Sequence, residues 1–121
     1  MVRASIIVGI ERDGQGVQLP VDVRANALKA VRDMAARRYG GYTLSNAAGG
    51  WVNSDGLLIE EGALRIDLFT DEPFARVRAF TRDVGALFNQ AAVILDYHGS
   101  IDFVEMDGGA VRVGEPQTVE A

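Results

Sequence analysis

Two adjacent carboxylates, Glu60 and Glu61, end the apolar run WVNSDGLLI and stand immediately before the alternating run GALRIDLF. A pair of acids at that point is able to bind a cation or accept hydrogen bonds from a ligand's donors. Counting back by twos from Leu64 puts Glu60 on the core parity of the strand and Glu61 on the other face with Arg65; a bulge at Gly62 would exchange them. A carboxylate turned inward needs donors or a cationic ligand, because burying it unpaired is costly. The same residues also fit a solvated strand entrance, or a simple pairing of Glu61 with Arg65.

Around the doublet lie other groups suited to recognition. Gly40, Gly41, Gly49 and Gly50 bracket YTLSNAA, where backbone amides can approach a flat heterocycle and Tyr42 or Trp51 can stack on it. The alternative for these residues is a helix cap, a bulge and a core tryptophan. Further on, Asp96, Tyr97 and His98 end an apolar strand, a common position for ligand contacts, and equally a place for a solvated histidine. The glycines of GIERDGQG lack the spacing of a dinucleotide fingerprint and read as a loop.

Composition narrows the chemistry. The chain has 121 residues, no cysteine and one histidine, which removes thiolate nucleophiles, disulfides and sulfur or histidine metal clusters. No metal and no cofactor is expected. A net charge of -5 disfavours a nucleic-acid partner and mildly favours a cationic ligand. No apolar run is long enough to span a bilayer, and the N-terminal MVRASIIVGIERDG reads as a strand and not a secretion signal, so no membrane partner and a cytoplasmic location are expected.

The elements that must position these groups follow from period and punctuation. ASIIVGI is a first strand. From Asp22, read as an N-cap, to Tyr39 the apolar residues Leu28, Val31, Met34 and Ala35 recur at helical spacing, and Gly40 and Gly41 stop the helix. YTLSNA is extended, broken at Gly49 and Gly50, and Ser54, Asp55 and Gly56 turn a hairpin into the strand ALRIDLF. TDEP starts a second helix whose stripe Phe74, Val77, Phe80, Val84, Leu87 and Phe88 runs to about Asn89. AAVILDYH is an inner strand, and IDFVEM, DGG and AVRV form a final hairpin before a polar tail over about 114–121. This order predicts one α+β domain over residues 1–121, a ferredoxin-like split βαβ sandwich with an antiparallel sheet and both helices on one face. Phe69 and the two-sided apolarity of the fourth strand predict oligomerisation through the other face.

With GGYT, GGW, IEEGALRI and VILDYHGSIDFV in this order, the stretch from Arg38 to Met106 resembles the small phage-encoded S-adenosylmethionine-degrading enzymes, now called SAM lyases. A group of uncharacterised bacterial domains shares the layout. The phage enzymes are similar in architecture to the PII (GlnB-like) superfamily, whose subunits form trimers with adenine-nucleotide sites between them. The resemblance implies a homotrimer with sites at subunit interfaces and S-adenosylmethionine as substrate. It implies an intramolecular displacement giving methylthioadenosine and homoserine lactone, a reaction that serves phage counter-defence in the host cytoplasm. Glu60 and Glu61 would be catalytic, and Tyr42, Gly49, Gly50, Trp51, Tyr97 and His98 would bind substrate. A PII-like protein that binds an adenine nucleotide without consuming it is the alternative.

Overall fold

A computed structural model describes residues 1–106; the AVRV strand, the DGG turn preceding it and the polar tail expected from the sequence lie outside the described residues. Five strands and two helices follow in the order β1 (Val2–Gly9), α1 (Val21–Tyr39), β2 (Thr43–Val52), β3 (Leu58–Thr70), α2 (Phe74–Leu87), β4 (Ala92–Tyr97) and β5 (Ser100–Glu105). Every pairing is antiparallel and the sheet order is β2-β3-β1-β4-β5. The first four strands therefore have the ferredoxin-like order, and β5 extends that sheet beside β4.

Alternation in β3 does what the sequence predicts. Leu64, Ile66 and Leu68 pair with Val8, Ile6 and Ala4 of β1, and all six are buried beneath the helices. Phe69, of opposite parity, is 59% exposed on the open face. The α2 stripe closes the core with Val77, Phe80, Val84 and Phe88, while α1 contributes Ala27, Val31 and Ala35. Phe80, 1% exposed, is among the largest buried side chains, and its truncation to alanine would cost about 3–5 kcal/mol.

The helix ends differ by one or two residues from the sequence reading, α2 for example ending at Leu87 and not Asn89. Helix α1 starts after Pro20, so Asp22 sits in the first turn and acts on the helix dipole instead of capping it. At the other end Gly40 takes the left-handed conformation, φ 77°, and its N–H bonds Ala36 O. Pro73 likewise precedes α2 where the sequence suggested it lay just inside.

Two local expectations are corrected. Gly49 and Gly50 do not break the second strand: β2 runs through them, pairing Gly49 with Glu61 and Gly50 with Glu60. Nor does Gly62 bulge, since it pairs in register with Ala48. β4 and β5 form a further hairpin that turns at His98 and Gly99, both with positive φ, as a two-residue turn requires. Among the described residues no helix is long and apolar enough to cross a membrane.

Candidate functional site

The β1–β3 ladder ends at Gly9 opposite Ala63, while β2 and β3 continue past it to Val52 and Leu58. This overhang is met by the β1–α1 loop, residues 10–20. Asp13 Oδ1 accepts the amides of Gln15 and Val17 at 2.9 Å each, giving the loop a tight local turn. Gln90 donates to Arg12 O at 2.5 Å and Phe88 O at 3.0 Å, tying the loop to the end of α2. Gly14 lies against Ala91, where an added Cβ would come within 2.7 Å of a backbone nitrogen.

Two cavities open where loop and overhang meet. One, of about 580 Å³, is lined by Glu11, Ala48, Gly49, Gly50, Glu60 and Glu61. The other, of about 670 Å³, lies along the open sheet face over small residues including Gly9, Gly49 and Ala63. Its sides carry Trp51, Ile94 and Phe103, and its polar groups include Glu61, Asp13 and Glu105. Of the doublet, only Glu61 lines both. In-register pairing puts Glu61 on the open face with Arg65, and Glu60 on the helix-side parity but beyond the helices, exposed to solvent.

Among the described residues no Lys or Arg lines either cavity. Among the described residues, none of Glu11, Glu60 and Glu61 forms an ion pair. The Arg12 guanidinium turns into its own loop, donating to Gly16 O at 3.2 Å. Glu61 is held by an amide instead: Arg12 N–H donates to its Oε1 at 3.0 Å. Farther along the open face Asp67 accepts from Ser5 Oγ at 2.5 Å and Arg65 Nε at 3.2 Å. Desolvation raises the Asp67 carboxyl, but the bonds from Ser5 and Arg65 and the charges of Arg65 and Arg3 outweigh it and hold it below its ordinary value.

The structure therefore brings Glu60, Glu61, Gly49, Gly50 and Trp51 together. It does not bring Tyr42, Tyr97 or His98 to them within one subunit. Tyr97 pairs with Ala4, five residues from Gly9, or about 17 Å along the strand. Its hydroxyl donates to Glu72 O at 2.7 Å and its ring meets Phe74 edge-on. His98 forms the turn after β4, and Tyr42 precedes β2 at that same end. Sequence reasoning did not find Glu11, Asp13, Phe103 or Glu105. They arrive from the loop and from β5 through pairings distant in sequence, and the GIERDGQG stretch had read as a plain loop.

No protein-family model and no curated protein matches the chain in sequence. Two solved structures match in shape. One is a phage SAM lyase in the apo state, with TM-score 0.59 and 18% identity. The other is a phage SAM lyase in complex with S-methyl-5'-thioadenosine, with TM-score 0.61 and 19% identity. Each match covers 88% of this chain and 90% of the other. The chain has the phage SAM lyase fold. At these identities the likeness is one of fold, and the arrangement of side chains has to carry the chemistry.

Proposed function

We propose that this protein degrades S-adenosylmethionine at the end of the sheet that carries Glu61. The observation supporting this most directly is a cavity with an aromatic side and an acidic, cation-free lining in a fold of the phage SAM lyase type. S-adenosylmethionine offers the complement, a flat adenine together with sulfonium and ammonium charges. Trp51 suits the adenine and the carboxylates suit the cations.

The reaction needs no water, metal or external base. A carboxylate oxygen of the substrate attacks its own γ-carbon as the bond to sulfur breaks, and the bonding pair stays on sulfur. Sulfonium becomes the thioether of methylthioadenosine, the methionine chain closes to homoserine lactone, and the ammonium is untouched. Carboxylate and sulfonium cancel as the bond forms, so a site that excludes water favours the transition state over the charged substrate. Holding the chain in its reactive conformation contributes up to about 7–11 kcal/mol.

Beside the sulfonium, at about 4 Å, a carboxylate would stabilise the positive charge by about 4 kcal/mol at a surface-like dielectric, yet this charge disappears in the reaction. Such a contact stabilises substrate more than transition state. Glu61 accordingly holds the ribose hydroxyls or the ammonium, with Glu60 at the cavity rim and Gly49 and Gly50 admitting the ligand close to the backbone. Tyr42, Tyr97 and His98 reach such a ligand only from a neighbouring copy. This suits a homotrimer with sites between subunits, so sedimentation at trimer mass supports that arrangement and monomer mass contradicts it. Depletion of the methyl donor would blunt methylation-dependent restriction.

The test is incubation of the purified protein with S-adenosylmethionine, following methylthioadenosine by chromatography, with the Glu60→Gln, Glu61→Gln double variant alongside. Product formed by the wild type and lost in the variant supports the lyase. Substrate recovered unchanged after denaturation contradicts it and leaves a PII-like binding protein.

A further inference from the structure

Glu61 is half of a reciprocal arrangement. At the end of β1 the chain reads Gly9, Ile10, Glu11, Arg12; on β3 it reads Glu61, Gly62, Ala63. Each segment gives the other a carboxylate and receives it on the next backbone amide. Arg12 N–H donates to Glu61 Oε1 at 3.0 Å, and Gly62 N–H donates to Glu11 Oε1 at 2.6 Å. Between them Ile10 N–H donates to Gly62 O at 3.2 Å.

Each carboxylate also lies over a glycine of the other segment. A Cβ built on Gly9 would stand 2.9 Å from both oxygens of Glu61, and one built on Gly62 would stand 3.1 Å from Glu11 Oε2. The two missing side chains are thus the space in which the two carboxylates rest. This clasp begins where the β1–β3 ladder ends, at Gly9 and Ala63, and carries the pairing onto the overhang that lines both cavities.

The geometry points to Glu11, Gly9 and Gly62 as positioning residues for Glu61, a role that rests on the lyase reading above. A glutamate free in solution samples many rotamers, and fixing one upon binding costs entropy. Here the cost is met during folding: Oε1 is committed to the Arg12 amide and the floor is cut away at Gly9, so the remaining acceptor capacity of the carboxylate faces the cavity in one orientation. Glu11 acts through Glu61 by holding the loop that supplies that amide.

The test compares Gly9→Ala, Glu11→Ala and Glu11→Gln by S-adenosylmethionine turnover and by the backbone amide NMR signal of Arg12. Gly9→Ala is expected to lower kcat about 10- to 100-fold, the scale of an ångström of misplacement, and to shift the Arg12 signal as Glu61→Gln does. Glu11→Ala lowers kcat less, with KM nearly constant, and Glu11→Gln, which keeps an acceptor for the Gly62 amide, restores most of the loss. Added to Glu61→Gln, neither Gly9→Ala nor Glu11→Ala reduces turnover further, because the side chain they orient is already altered. A folded Gly9→Ala or Glu11→Ala protein with wild-type turnover overturns the proposal, as does full additivity with Glu61→Gln, which would mark a staple of the fold alone. A wild type inactive on S-adenosylmethionine sinks the lyase reading instead. The NMR signal separates the two: an Arg12 amide unmoved in both Gly9→Ala and Glu61→Gln shows that no clasp exists in solution.

Discussion

The two ends of the sheet treat their carboxylates in opposite ways. At the end holding the start of α2, Glu72 accepts from the Tyr39 hydroxyl at 2.9 Å and from Arg38 Nε at 3.3 Å, with Arg76 Nε at 3.9 Å. Burial, and next the bond to Glu72, raise the Tyr39 phenol well above its ordinary range. The Arg38 guanidinium lies 5.6 Å from the Tyr39 ring centre and 5.7 Å from that of Phe80. At the opposite end Glu11, Glu60 and Glu61 form no ion pair among the described residues, and two of them are held by amides. Charge matched inside the fold contributes to stability; charge held in place but unmatched is available to a ligand.

This contrast is most sharply broken by exchanging the roles of the two ends. Glu61→Gln should lower turnover of S-adenosylmethionine at least about 100-fold, about 2.7 kcal/mol of transition-state stabilisation, with the melting temperature nearly unmoved. Glu72→Ala should do the reverse, costing about 2 kcal/mol of stability and several degrees in Tm, with turnover per folded molecule preserved. Steady-state kinetics beside thermal melts would read both, and a Glu61→Gln protein that melts early but turns over normally would invert the comparison.

A smaller effect concerns salt. Exposed one-signed charge is screened by ions, with a Debye length falling from about 10 Å at 0.1 M to about 3 Å at 1 M. The KM for S-adenosylmethionine should therefore rise several-fold over that range, while the affinity for uncharged methylthioadenosine barely changes. Equal weakening of both ligands would remove the acidic lining from recognition.

The smallest concerns Asp67, on the open face between the two ends. Its folded pKa lies below the ordinary 3.8, so its contribution to stability is present above that value and disappears as pH falls through the lower folded one. Asp67→Asn should be less stable than wild type at neutral pH by about 1 kcal/mol and show a shallower loss on acidification below about pH 4, measured by urea unfolding. Identical acid limbs would show that the Ser5 and Arg65 contacts do not survive in solution.

What was legible in the sequence follows from the range of each interaction. The α1 period, the Gly40 stop and the alternation of Leu64, Ile66 and Leu68 are local, and they led to the layered fold directly. The turn at Ser54 to Gly56 was equally visible. Gly49 and Gly50 were misleading because glycine usually interrupts a strand, whereas here Gly50 accommodates Leu58 and the Ile59 carbonyl of the paired strand. Tyr97 and His98 read as ligand contacts because they end an apolar strand, by a rule about carboxyl ends that belongs to parallel sheets. In this sheet β3 and β4 both begin at the Glu61 end, so the carboxyl end of β4 lies far from it. The clasp of Glu11 and Glu61 joins residues about fifty positions apart, and no spacing within one segment records it.

The central claim, that the Glu61 end drives an internal displacement on S-adenosylmethionine, is tested most directly by running the reaction in ¹⁸O-labelled water and analysing both products by mass spectrometry. The account predicts methylthioadenosine and homoserine lactone, with label entering only the carboxyl group if the lactone later opens. Intact substrate, or label in the γ-hydroxyl of homoserine from attack by water, would contradict it.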